Sequence, residues 1–277
     1  MEHIFGEIKS FIGEYKYLLD LRVLFNISIN DVNTIRYGYK DLKDRINHNR
    51  LVVLNCSYLD LDELPDLPNC RALYCNNNGF KRLPRLPRCE LLKCNDNEIE
   101  ELPELPSVFR LNCVKNELIR LPELPDCLLL NCNDNWIEQI DCSTISQCLY
   151  LNCSDNCLTK LANVENLCFL NCNDNNLTEL SELTECRMLI CDNNLIEELP
   201  ELPNCRGLYC NDNRLTRLPK LPECHTISSQ NNRITEIDNM PKCRFIYLHG
   251  NMINRISNLT NCDIYPDWIQ FRYRNHF

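Results

Sequence analysis

The sequence predicts an α/β repeat solenoid: a curved parallel β-sheet with an extended convex side and a helical N-terminal cap. Three observations predict it. Cysteines recur at a fixed step, asparagine and aliphatic columns run in phase with them, and residues 1–50 share neither pattern.

The step comes first. Cys56, Cys75, Cys94, Cys113 and Cys132 stand 19 residues apart; Cys153 follows after 21, and Cys172, Cys191 and Cys210 resume the 19-residue step. Ser229 and Leu248 carry it on, so residues 51–262 hold eleven repeats. A fixed period of this kind marks units that cannot bury an apolar face alone and must stack.

Each column then has a physical reason. Three residues after the reference position stands Asn, from Asn78 to Asn251, with Leu59 in the first repeat. Its amide can bond the backbone of its own turn and of the neighbouring coil, groups otherwise buried without partners. The positions two before, five after and eight after are apolar throughout, as in Leu54, Leu61 and Leu64. A short strand around Leu-x-Cys therefore points these residues and the cysteine inward. The residues three and one before the cysteine point outward. Paired prolines, as in Leu83-Pro-Arg-Leu-Pro87, suit an extended, polyproline-like return. Repeats 5 to 7 lack them, so the convex side is expected to change there.

The segment Cys70-Arg-Ala-Leu-Tyr-Cys75-Asn-Asn-Asn78-Gly-Phe80 resembles the LxxLxLxxNxL stretch of leucine-rich repeats, with Cys at the first and sixth positions. The Leu-Pro-x-Leu-Pro return is similar to the short repeats of bacterial effector proteins, and the whole set to leucine-rich-repeat proteins of giant amoebal viruses. The step of 19 falls just under the family's usual range of about 20–29. The resemblance implies a concave face, built by the outward strand residues, that binds another protein.

The chain has 21 cysteines, all between Cys56 and Cys262. Besides the reference column, a second series runs from Cys70 and Cys89 to Cys243 and Cys262, with Val108 and Leu167 in its missing places. Three readings compete. The first makes Cys a small core hydrophobe that exchanges with aliphatic residues. Disulfides are the second, but neighbouring Cβ vectors in one column should run parallel rather than converge. Zinc is the third, but Cys70-x4-Cys75 lacks the tighter pairing usual for it. The first reading is preferred, and no metal or cofactor is expected. Cys142 and Cys157 lie outside both columns and are the expected exposed thiols.

Residues 1–50 read as helical: Ile4, Phe5, Ile8, Phe11, Ile12 and Tyr15 recur at helical spacing, and a second helix starts near Asn30-Asp31. They are expected to cap the array. Within 4–23, Glu7-Ile8, Phe11-Ile12 and Leu18-Leu19-Asp-Leu21-Arg22-Val23 resemble an F-box without its usual Leu-Pro start. That resemblance implies a ubiquitin-ligase subunit as partner and a substrate-adaptor role, the alternative to a stand-alone binding module. Residues 263–277, with Trp268, Phe271, Tyr273 and Phe277, are expected to form the opposite cap.

The net charge of −10 argues against nucleic acid and anionic membranes, and for a partner with a basic surface. No run approaches the roughly 18 apolar residues of a membrane helix. The N-terminus has no signal-peptide pattern, so a cytoplasmic location is expected, in the host cytoplasm if the chain is viral. Catalysis finds no support. The five histidines make no readable constellation, and the six glycines make no phosphate loop. Asp96, Asp134, Asp155, Asp174 and Asp212 share one column and read as architecture.

The candidate binding site is the middle of the concave face. Leu129, Tyr150, Phe169 and Met188 should form an exposed apolar stripe. Asn152, Asn171, Ile190 and Tyr209 stand beside it, with Asp155 and Asp174 beyond. Apolar surface rimmed by polar residues marks an interaction site. The competing expectation is a stripe covered by curvature or self-association.

Overall fold

A 19-residue step has room for one short strand, a tight turn and a return, and the chain folds that way. The computed structural model describes residues 51–265 except 142–143, 162–165, 239, 258 and 260–261. The helical cap at 1–50, the F-box-like residues 4–23, Cys142 and the aromatic tail therefore lie outside the described residues.

Eleven three-residue strands, from Val53–Asn55 to Phe245–Tyr247, stack in parallel in one sheet, and Asp263–Tyr265 adds a twelfth. The sheet thus runs three residues past the expected repeat boundary at 262. Register never slips: Leu111 pairs with Leu130, and Leu151 with Leu170. The 21-residue step keeps it too, Leu129 standing opposite Tyr150, so the extra residues are absorbed in the return.

The returns differ partly as the prolines suggest: the change expected over repeats 5 to 7 appears as strand pairing in 5 and 6, and among the described residues not in 7. Proline has no N–H to give to a ladder. The proline-free returns of repeats 5 and 6 pair Gln139–Ile140 with Lys160–Leu161. A second convex pair joins Glu236–Asp238 to Arg255–Ser257. In a proline-rich stretch only the isolated bridge Arg82 to Glu101 forms.

One continuous apolar core runs from Leu51 to Leu248, between the sheet and the return. Both cysteine columns are part of it. Of the described cysteines, all but Cys157, Cys168 and Cys262 are buried. Cys157, expected to be exposed, is half-buried, and so is Cys168, equally outside both columns and not singled out from the sequence.

The asparagine column holds successive coils together. Asn175 Nδ2 donates to the carbonyls of Cys172 (3.2 Å) and Asn173 (2.9 Å) in its own coil and of Cys153 (3.0 Å) in the preceding one. Its Oδ1 accepts the N–H of Leu158 at 2.9 Å. Asn78 makes the same inward bonds near one end and Asn251 makes two of them near the other. The next column explains the aspartates. The residue two after the reference position has a positive φ in every repeat, from Tyr58 (62°) through Asp174 (52°) to Gly250 (72°). Asp and Asn tolerate that left-handed conformation better than most residues. At Gly250 a Cβ would also stand 2.2 Å from Asn231 Oδ1.

Candidate functional site

Strand alternation places the expected strand residues, from Leu129 to Tyr209, on the concave side of the sheet away from the main core, while Asp155 and Asp174 lie in the turns that follow. Their environment differs from one half of the array to the other.

In the C-terminal half, Phe169, Met188, Ile190 and Tyr209 form a second apolar cluster, separate from the main core, with Tyr150 packed against it. The Tyr150 and Phe169 rings stack with centroids 4.4 Å apart and planes 5° from parallel. The expectation of an open stripe is corrected here. Phe169 is 2% exposed, Met188 5%, Ile190 6% and Tyr209 4%. Neighbouring strands stand about 4.8 Å apart, so large side chains in consecutive rungs bury one another's flanks. Leu129 and Tyr150 are half-buried.

The expected polar rim is engaged in the fold. Asn152 Oδ1 accepts the N–H of Ser154, and Asn171 Oδ1 that of Asn173, both at 3.2 Å. Asp155 and Asp174 are exposed at the left-handed position, and Asp174 Oδ1 accepts from Asn193 Nδ2 at 2.9 Å. One acidic residue stands deeper. Asp192 accepts from Asn211 N–H (2.6 Å) and Nδ2 (2.9 Å), and burial pushes its carboxyl up to about 6.

The N-terminal half was not singled out from the sequence. Lys93 and Arg110 stand half-buried on neighbouring strands, Lys93 in register with Asn112 and Arg110 with Leu91. The Lys93 ammonium lies 5.7 Å from the centre of the Tyr74 ring. Asn112 Oδ1 and Asn131 Oδ1 are buried without a hydrogen-bond partner. The signal was available: among the outward positions of the eleven repeats, Lys93 and Arg110 are the only charged residues.

The buried core thiols offer little reactivity. Burial pushes Cys56 up to about 12 and Cys70 to about 11, so both stay protonated at neutral pH. At the C-terminal end of the second column Cys262 Sγ stands 2.9 Å from Cys243 Sγ, and both thiols are free. Among the described residues, no group of three His, Cys, Asp or Glu side chains is placed to hold a metal. No helix among them is long and apolar enough to cross a membrane.

Solved structures share this arrangement. Over 77% of this chain and 68% of the other, it superposes on YopM, a leucine-rich effector protein from Yersinia pestis, with TM-score 0.66 and 25% identity. The chain is a leucine-rich-repeat solenoid. The leucine-rich-repeat fold recurs in the functional domain of InlJ from Listeria monocytogenes, a domain that includes a cysteine ladder (TM-score 0.65, 24% identity, 74% of this chain and 52% of that one). It recurs again in the complex of LRIM1 and APL1C (TM-score 0.59, 18% identity, 76% and 50% covered). This leucine-rich-repeat chain thus spans about half the length of the last two. No family model and no curated protein sequence matches it.

Proposed function

We propose that this chain is a protein-interaction module of the cytoplasm that takes its partner on the concave face of the solenoid. One observation carries the reading. The inward columns repeat the same chemistry in every coil, while the outward column three residues before the reference position varies along the array, with Ala72, Leu91, Arg110, Tyr150 and Gly207 among its members. The core and the asparagine ladder need the former; the fold uses the latter only where Tyr150 to Tyr209 pack together, and not in the N-terminal half. Such varied surface on a rigid frame suits recognition. The pairing of LRIM1 with APL1C, two proteins of this fold, supports a protein as the partner. The net charge of −10 favours a basic surface where that partner meets the acidic outer edges.

Site-specific photo-cross-linking in native lysate tests it. A photoreactive residue at Leu129 (concave) should capture a discrete protein that the same group at Glu179 (convex) does not. Capture at Glu179 alone would overturn the concave assignment.

A further inference from the structure

The chain has 39 acidic and 29 basic residues. Several of the described basic residues pair with a carboxylate one coil away, as in Arg71 with Glu90, Arg120 with Glu101, Arg217 with Glu198 and Lys242 with Glu223. Lys93 and Arg110 are not among them. Neither makes an ion pair with a described residue, although both are half-buried and stand on adjacent strands. Withdrawing a cation from water without a counter-charge is costly. Here the two cations also repel: burial and then the charge of Arg110 lower the basicity of Lys93. The Tyr74 face is a favourable neighbour of Lys93. Around them the outward columns hold no carboxylate.

We propose that Lys93 and Arg110 form a recognition site for an acidic peptide, an extended segment bearing Asp or Glu side chains, on the N-terminal half of the concave face. The proposal rests on the concave-face reading above and names its ligand's chemistry. A carboxylate placed between the two cations would relieve their repulsion and restore the lost solvation. The neighbouring asparagines say why the ligand is a peptide. Asn112 Oδ1 and Asn131 Oδ1 are buried acceptors lacking a donor. A phosphodiester offers them only more acceptors and inorganic phosphate one or two P–OH donors on a single centre, whereas an extended peptide backbone offers a row of N–H groups that can reach both. Tyr74 and Leu129, both half-buried, flank the site with apolar surface for the peptide's other side chains. Nucleic acid would have to approach a chain of net charge −10.

The test uses the full chain and fluorescence anisotropy with a short labelled peptide alternating Glu and Leu. Its Gln-for-Glu twin, inorganic phosphate and a single-stranded oligonucleotide serve as comparisons. The Glu peptide should bind, with an affinity that falls as salt rises. The Gln twin should bind at least about tenfold more weakly. Lys93→Gln and Arg110→Gln should each weaken the Glu peptide by a similar factor. Neither should lower the melting temperature, since each removes an unpaired half-buried charge; a merely structural cation would lower it. Equal binding of the two peptides overturns the proposal, as does preference for the oligonucleotide or displacement by phosphate at matched ionic strength. Loss of stability without loss of binding in the variants overturns it too. The two readings fail separately: cross-linking at Leu129 with no effect of the charge variants leaves the concave site and removes its acidic ligand. Charge-dependent peptide binding with cross-linking only at Glu179 does the reverse.

Discussion

Asn175 makes four hydrogen bonds with one side chain and ties two coils together. Alanine there leaves the Leu158 N–H without its acceptor and takes one of two donors from each of three carbonyls, which keep Asn156 Nδ2, Asn194 Nδ2 and the Asp155 N–H. The expected cost is about 1–3 kcal/mol, read as a lower midpoint in chemical denaturation; an unchanged midpoint would mean that water replaces the amide. Asp192 acts in the opposite direction. Burial, followed by the nearby charges of Asp212 and Asp174, outweighs its bonds to Asn211 and leaves the folded-state pKa near 6 against an ordinary 3.8. The fold therefore favours the protonated acid. The penalty is absent below the ordinary pKa, grows as pH rises through the interval, and is complete above the folded-state value. Asp192→Asn should stabilise the chain at neutral pH by about 1–2 kcal/mol, allowing for partial exposure. The gain should vanish towards pH 4, and melting curves across that range check it. At this scale the asparagine role was legible, because a repeated amide beside a turn has little else to do. The aspartate column showed its regularity but not its cause: the left-handed φ at Asp155 and Asp174 is a property of the turn and leaves no other mark in the composition.

Strand alternation was legible element by element. Leu170 and Cys172 point into the core and Phe169 points out of it, and the pairing of Leu151 with Leu170 keeps that choice in step along the sheet. Exposure was not legible, because it depends on what neighbours a side chain in space. Phe169 lies against Tyr150 and is covered almost completely. Phe169→Ala is therefore expected to destabilise the fold by about 2–4 kcal/mol, a cost that an exposed anchor would not show. Denaturation of the purified variant decides it: unchanged stability would return Phe169 to the surface. The convex side follows the same logic. The lack of proline in repeats 5 and 6 freed backbone N–H groups to pair, but only the geometry of adjacent returns selects Gln139–Ile140 and Lys160–Leu161. Lys93 and Arg110 were visible as letters in two outward columns. Their significance needed their half-burial on adjacent strands without an ion pair to a described residue, which is a fact of three dimensions.

Across the whole molecule, each coil touches the one before and the one after, in unvarying register. The array should then behave as a chain of nearest-neighbour units. Deleting one full step, Cys172–Ile190, joins Asn171 to Cys191 in phase and should leave a folded solenoid. Its denaturant slope should be slightly smaller, in proportion to the surface lost. Deleting half a step, Cys172–Leu180, leaves a return too short to close and should abolish the cooperative transition. Circular dichroism during denaturation distinguishes the two; equal behaviour would show that long-range contacts outweigh the coil-to-coil ones.

The same coil-to-coil ladder has a mechanical meaning. A force applied to the two ends is borne in series, because each junction holds through the same three-residue strand pairing and asparagine bridge as the next. The weakest junction yields alone, and the others stay shut until the freed length is taken up. Each released coil of 19 residues pays out roughly 60 Å of slack. Under tension the solenoid lengthens in even steps, a ratcheted tether that sheds load without parting from what it holds.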